Sequence, residues 1–245
     1  MYLKTKALVL RSVDYQEADC ILTVLTGEHG LMTIKARGVR RQRSNLKSAC
    51  QLLAFSEFTV FENRGFSTIN EAVVIEMFPE LRKDIERLAL ASYFAQVSEV
   101  LSQEDQPNPE VLAVTLNALY ALSKTKRDPA LVKAAFELRM IAQAGYTPMV
   151  SECVVCGNAN PDRFNVMSGM CQCSGCSADG LRLPLSEGSL AAMRYILTCD
   201  RKRLFSFSLT GEAAKQLCDI SQTYLLTQLE RGFSTLDFYE SLRLI

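Results

Sequence analysis

The sequence predicts an α+β protein in which a small N-terminal β-barrel is followed by a helical domain, and a four-cysteine module interrupts the helices. Up to residue 78, stretches rich in Val, Ile, Leu and Thr are separated by turn residues, as in short strands. Beyond Pro79 the apolar residues recur every three or four positions, as in amphipathic helices. Two Cys-x-x-Cys pairs then lie between helical stretches, a spacing typical of a metal site.

Five strands are predicted in the first part of the chain, at residues 3–12, 20–26, 31–36, 51–62 and 69–77. Turns are predicted at residues 27–30, which would join the second and third strands as a hairpin, and at Asn63-Arg64-Gly65. Bent, antiparallel strands of this number and length are typical of a small closed barrel of the OB type. A generic SH3-like barrel is the alternative.

The parity of apolar residues adds detail to the last two strands. It changes between Leu53 with Phe55 and Phe58 with Val60, which predicts a bulge or a sharp bend in the fourth strand. In the fifth strand one parity carries most of the apolar side chains and predicts a single buried face, made of Ile69, Val73, Ile75 and Met77.

Helices are predicted at residues 81–101, 109–122, 129–145, 186–197 and 210–230. Asn108 and Asp128 are suited to be N-caps, because each precedes a proline that can occupy the first helical position. We therefore divide the chain into a barrel domain at 1–78, a helical domain in two parts at 79–150 and 181–245, and a metal module at 151–180.

The cysteine pairs are Cys153 with Cys156 and Cys173 with Cys176. Each pair can supply two adjacent corners of a tetrahedron, so the spacing predicts one structural zinc ion with four thiolate ligands and no position open for a catalytic water. Cys171 is the alternative to Cys173 as the third ligand. A competing interpretation is a redox-active dithiol, although no thioredoxin-like strand–helix context surrounds either pair.

Composition favours an intracellular protein with reduced cysteines. Beyond the cluster, Cys20, Cys50, Cys199 and Cys218 stand singly in apolar stretches, as buried thiols do. The N-terminal residues do not resemble a signal peptide, and no apolar run is long enough to span a membrane. We therefore expect a cytoplasmic, nucleoid-associated protein.

The sequence offers little for catalysis. It contains one histidine, His29, in a Glu-His-Gly setting typical of a turn, and no Gly-rich phosphate-binding loop. A histidine-dependent triad or a histidine-ligated catalytic zinc could draw on that one residue alone.

A run of cations follows the third strand and is not interrupted by any acid: Lys35, Arg37, Arg40, Arg41, Arg43 and Lys47. In a flexible, Gly-containing loop these side chains can follow a phosphate backbone, so the run predicts a DNA-binding site whose affinity falls steeply with salt. The alternative is an ordinary solvated charge run. Candidates for base stacking are Tyr15, Phe55, Phe58, Phe61 and Phe66, most of which we expect in the barrel core.

Three segments resemble the bacterial recombination mediator family RecO: residues 5–19 (TKALVLRSVDYQEAD), 25–30 (LTGEHG) and 36–41 (ARGVRR). The order of barrel, helices and inserted cysteine module is also similar to that family. The resemblance implies a protein that binds single-stranded DNA and anneals complementary strands coated by single-strand-binding protein. It also implies that the protein is not an enzyme, uses no nucleotide, and acts with RecR to help load RecA.

The resemblance further implies that the helical domain binds the acidic, apolar tail of single-strand-binding protein. The candidate place is Arg201-Lys202-Arg203 beside Phe205 and Phe207, where cations flank apolar side chains. The alternative, which the sequence favours, is a loop that packs its own Phe residues. An RNA-binding or transcription-associated module with the same barrel is the remaining alternative for the basic run.

Overall fold

A computed structural model describes residues 2–63, 66–177 and 179–243. Its strands are β1 Tyr2–Tyr15, β2 Asp19–Thr26, β3 Leu31–Ala36, β4 Phe55–Asn63, β5 Phe66–Glu76, β6 Arg163–Asn165, β7 Met170–Gln172 and β8 Arg182–Pro184. Its α-helices are α1 Ile85–Val100, α2 Pro109–Lys124, α3 Pro129–Gln143, α4 Glu187–Thr198, α5 Gly211–Leu229 and α6 Ser234–Arg243. Short 3-10 helices lie at Pro79–Lys83 and Arg201–Arg203. The chain forms two compact units. The first consists of Met1–Lys124 and Phe233–Ile245, and the second consists of Thr125–Gly232.

The first unit contains the predicted closed barrel, with strand order β1-β2-β3-β5-β4 and β4 paired back to β1. The expectation that every pair is antiparallel is wrong, because β3 and β5 run parallel where Ile34 pairs with Ser67. A closed ring with an odd number of strands must contain at least one parallel pair, and this pair meets that requirement. The hairpin of β2 and β3 is as predicted, with the amide of Thr26 donating to the carbonyl of Gly30 at 2.8 Å. Of the predicted turn at 63–65, Arg64 and Gly65 lie outside the described residues.

The predicted irregularity in β4 is present as a register shift between Phe55 and Ser56. The buried face predicted for β5 is wrong, since Val73 and Ile75 are exposed. A second shift explains the error: Val60 pairs with Ile69 but Thr59 pairs with Glu71, so the strand contains one extra residue and its parity changes there. Beyond it, Ala72 and Val74 pack against the barrel core in place of the predicted residues.

Helix α1 is the centre of the helical part of the first unit. It packs against α2 and α6, and it also contacts β1. Ser98 and Thr115 share a buried hydroxyl hydrogen bond of 2.7 Å between α1 and α2, and the Tyr93 ring meets the Phe233 ring edge-on at 5.5 Å. The predicted cap of α2 is confirmed, because the Asn108 side chain accepts from the Val111 amide at 3.2 Å. Helix α6 was not predicted from the sequence.

The second unit combines α3, α4 and α5 with the small sheet β7-β6-β8. Asp128 caps α3 as predicted, accepting from the Ala130 amide at 2.9 Å. Within α3, a buried ion pair of 2.8 Å joins Lys133 to Glu137, and the Glu137 carboxylate also accepts from the Ser221 hydroxyl of α5. The three-stranded sheet was not predicted. The domain boundaries at residues 78, 150 and 180 stay predictions.

We predict that Gly30→Ala destabilises the first unit strongly. Gly30 has a φ of +64°, and a Cβ there would overlap the carbonyl oxygens of Gln103 and Gln106, which belong to backbone and cannot turn aside. Strain and overlap together should cost about 2–4 kcal/mol, visible as a lower urea midpoint. Gly38→Ala is the matched control, because its φ is +63° but the nearest atoms belong to the flexible Arg41 side chain. Equal losses in the two variants would contradict the role of the overlap.

Candidate metal centre and nucleic-acid interface

Four cysteine sulfurs meet in the second unit. The Sγ atoms of Cys153, Cys156, Cys173 and Cys176 all lie within 4.8 Å of one another. Cys153 and Cys176 are 3.8 Å apart, as are Cys156 and Cys173. A tetrahedron with metal–sulfur bonds of about 2.3 Å has edges of about 3.8 Å. The cluster therefore has the dimensions to hold a metal ion.

Backbone geometry positions these sulfurs. After the first pair, Gly157 adopts a φ of +72°, and its amide donates to the Cys153 carbonyl at 2.9 Å to close a tight turn. The amide of Cys173 donates to the Cys153 sulfur at 3.3 Å, which joins the second pair to the first. Arg194 of α4 fixes the module to its unit by donating to the carbonyls of Val150, Ser151 and Ala159 at 2.6–2.7 Å.

The four thiols differ in acidity. Burial opposes ionisation of Cys153, but the amides of Cys156, Val155 and Cys173 donate to its sulfur, and the pKa falls to about 6. A hydrogen bond with Cys156 and burial raise the pKa of Cys176 to about 12. Cys153 therefore ionises readily, and its negative charge opposes ionisation of the neighbouring thiols. A divalent cation would offset the repulsion between thiolates, so the cluster is suited to bind a cation with release of protons.

Cys171 lies outside this cluster. It belongs to β7, its side chain is fully buried, and burial raises the pKa of its thiol to about 12. Its carbonyl accepts from the Val154 amide at 3.0 Å, so its backbone supports the first pair although its sulfur is not among the four that meet.

The basic segment, residues 37–54 together with Lys35, is not the flexible loop that the sequence suggests. Val39, Ala49 and Cys50 are buried in the barrel core. The amide of Arg40 donates to the Ala18 carbonyl at 2.9 Å, and Leu53 and Val9 are joined by a 2.9 Å backbone bond at the far end. Successive turns connect these anchors, so the segment closes one end of the barrel in an ordered conformation.

Two of the predicted DNA-contact residues have acidic partners that lie far from them in the sequence. Lys35 is 2.9 Å from Asp19, and Arg40 is 3.2 Å from Asp14. Both acids belong to the hairpin of β1 and β2. The run therefore carries less uncompensated positive charge in the folded protein than its acid-free sequence suggests.

The other predicted DNA-contact residues are exposed: Arg37, Arg41, Arg43 and Lys47. Arg37 is near enough to Asp19 to help lower the pKa of that carboxyl, after the larger effects of the Gly38 amide and Lys35. In the part of the chain that the structure describes, Arg41, Arg43 and Lys47 form no ion pair. These three cations are the strongest uncompensated positive charge of the segment.

The chain matches two family models, "Recombination protein O N terminal" over residues 1–78 and "Recombination protein O C terminal" over residues 82–237. It is 36% identical over 244 residues to the DNA repair protein RecO of Acetivibrio thermocellus, covering 98% of this chain and 97% of that protein. It is 31% identical over 242 residues to the DNA repair protein RecO of Symbiobacterium thermophilum, with 96% of each chain covered. The chain belongs to the RecO family. The resemblance seen in residues 5–19, 25–30 and 36–41 is thus confirmed over the full length.

A groove in the second unit was missed by the sequence analysis. Its volume is about 310 Å³, and its lining combines apolar and charged side chains: Leu131, Val132, Phe205, Phe207, Leu209, Lys126, Arg127 and Asp128. The cations of the lining therefore come from the connection just before α3, and Arg201-Lys202-Arg203 forms a 3-10 helix outside this lining. No sequence signal could have found it, because residues 126–132 and 205–210 are brought together only by the fold.

No helix among the described residues has the length and apolar character needed to cross a bilayer.

We predict that Cys153→Ser removes the metal from the purified protein whereas Cys171→Ala retains it. The first change deletes a sulfur of the cluster, and the second deletes a sulfur that does not reach it. Metal content per chain is the measurement, and circular dichroism verifies that each variant is folded. Loss of metal from folded Cys171→Ala, with retention in Cys173→Ala, would make Cys171 the ligand.

Proposed function

We propose that this protein is a non-enzymatic recombination mediator in DNA repair. It binds single-stranded DNA, anneals complementary strands coated by single-strand-binding protein, and acts with RecR to load RecA. Membership of the RecO family supports this role. The observation that carries the DNA-binding part is the ordered basic segment, which presents Arg41, Arg43 and Lys47 without acidic partners among the described residues.

The physical basis of the proposed binding is neutralisation of phosphates. Each cation that pairs with a phosphate releases condensed counterions, so affinity falls with salt in proportion to the number of pairs. Because the segment is held at both ends and by its buried residues, the backbone that carries its cations is ordered before DNA arrives, which reduces the entropy lost on binding. Lys35 and Arg40 would contribute less, since binding must compete with Asp19 and Asp14.

We propose that the cysteine cluster holds one structural zinc ion through Cys153, Cys156, Cys173 and Cys176. The all-sulfur set and its tetrahedral edge lengths suit Zn²⁺, and four thiolates leave no position for a reacting water. The ion would join the two cysteine pairs and so stabilise the sheet β7-β6-β8 and its attachment to α4. A redox dithiol is less well supported, because every sulfur of the cluster has sulfur neighbours from the other pair.

We propose the groove of the second unit as the binding place for the acidic, apolar tail of single-strand-binding protein. Phe205, Phe207 and Leu131 offer an apolar floor, while Lys126 and Arg127 offer cations for carboxylates. The Phe207 ring packs 6.0 Å from the Tyr195 ring, which holds one wall in place. We propose this location in place of the candidate Arg201-Lys202-Arg203.

We predict that Arg41→Ala/Arg43→Ala/Lys47→Ala abolishes annealing of complementary strands precoated with single-strand-binding protein, without added nucleotide. On bare single strands, the slope of log affinity against log salt concentration should become shallower by about 2, because each phosphate contact contributes about 0.7 to that slope and three contacts are removed. The matched control is Lys83→Ala/Lys215→Ala/Arg243→Ala, which removes three exposed cations from other elements.

Annealing that survives in the basic-segment variant with an unchanged salt slope would move the DNA site elsewhere. No annealing by the unaltered protein would favour the RNA-binding alternative, which competition between DNA and RNA strands then tests.

We predict that Lys126→Ala/Arg127→Ala weakens binding of an acidic peptide with an apolar C-terminus by about fivefold or more, because the groove loses both cations. Fluorescence anisotropy of the labelled peptide is the measurement. Arg201→Ala/Arg203→Ala is the comparison, and we expect little change in it. The reverse pattern would return the tail site to residues 201–203.

A further inference from the structure

Tyr15 is an exposed aromatic residue that contacts the basic segment through Lys35. It ends β1 and pairs with Asp19 across the hairpin of β1 and β2, and 43% of it is exposed. Two of the other stacking candidates are less suited, and the side chain of Phe66 lies outside the described residues. Phe58 is fully buried, and the exposed ring of Phe61 is packed against Tyr2 at 5.1 Å.

The Tyr15 ring has a cation behind it. The Lys35 ammonium lies 4.5 Å from the ring centroid, within the range of a cation–π interaction. Lys35 is itself held by Asp19 at 2.9 Å, and the ring is therefore backed by a fixed group. A ring fixed in this way loses little freedom when a flat partner stacks on its exposed surface.

A short series of contacts connects this ring to the uncompensated cations. The other carboxylate oxygen of Asp19 accepts from the Gly38 amide at 2.8 Å, and the Arg41 side chain passes beside Gly38. Tyr15, Lys35, Asp19, Gly38 and Arg41 therefore form one contiguous surface region, with the ring at one end and the arginine at the other.

The hairpin tip itself is not a phosphate site. Asp14 and Asp19 compensate Arg40 and Lys35, and Glu17 is exposed at the tip. Net positive charge is thus concentrated beyond Gly38, while the tip offers an aromatic surface. Single-stranded nucleic-acid sites combine these two elements, cations that follow the backbone and rings on which bases stack.

We infer that Tyr15 is a base-stacking residue of the nucleic-acid site: its ring, backed by Lys35, stacks one base of the strand whose phosphates pair with Arg41 and its neighbours. This inference rests on the proposed single-strand binding. It adds a contact with a base, which the cations alone do not provide.

The test compares two oligonucleotides of equal length and charge, oligothymidylate and its abasic analogue. The unaltered protein should bind oligothymidylate more tightly. Tyr15→Leu should lose about 5- to 150-fold in affinity for oligothymidylate and little for the abasic strand, with an unchanged salt slope because no phosphate contact is removed. Tyr15→Phe keeps the ring and should bind as the unaltered protein does.

Tyr120→Leu is the matched control, an exposed tyrosine on α2 that should not affect either affinity. An equal loss for both strands in Tyr15→Leu would indicate a structural role and overturn the inference, as would undiminished preference for oligothymidylate. If the unaltered protein binds both strands equally and with steep salt dependence, the stacking inference fails while the proposed function stands. If it binds neither, the proposed function fails as well.

Discussion

The candidate nucleic-acid interface depends on the two contacts of the Asp19 carboxylate. One oxygen accepts from the Gly38 amide and the other pairs with Lys35. These two contacts join the hairpin of β1 and β2 to the start of the basic segment. The Gly38 hydrogen bond, followed by Lys35, lowers the pKa of Asp19. Since the folded state lowers this pKa, the interaction stabilises the protein above the carboxyl's ordinary range and is lost only as pH falls through the lowered value.

Closure of the barrel end explains why the cations face outward. The chain must cross from β3 to β4, and it does so through turns whose apolar side chains, Val39, Ala49 and Cys50, enter the barrel core. With these residues directed inward, the intervening arginines are left on the solvent side. The burial that stabilises the barrel therefore also orders its basic surface, and no separate scaffold is needed for it.

The sequence predicted the features that depend on local patterns. Strand and helix positions, the caps at Asn108 and Asp128 and the cysteine spacing all follow from short-range chemistry. It failed where distant segments decide the outcome. The extra residue in β5 appears only when that strand pairs with β4, and the partners of Lys35 and Arg40 come from an earlier hairpin. The groove lined by Phe205 and Lys126 likewise exists only in the folded unit.

A net charge of zero is compatible with a polyanion site because charge matters locally. Acids close to Lys35 and Arg40 are used to hold the hairpin and the segment together, and Arg41, Arg43 and Lys47 are left without ion-pair partners in the described residues. Some cations of the basic run therefore hold the structure together through ion pairs, and the others can pair with phosphates. The structural pairs also place Tyr15 beside Lys35, so the same contacts that reduce the charge of the hairpin tip leave an aromatic surface there.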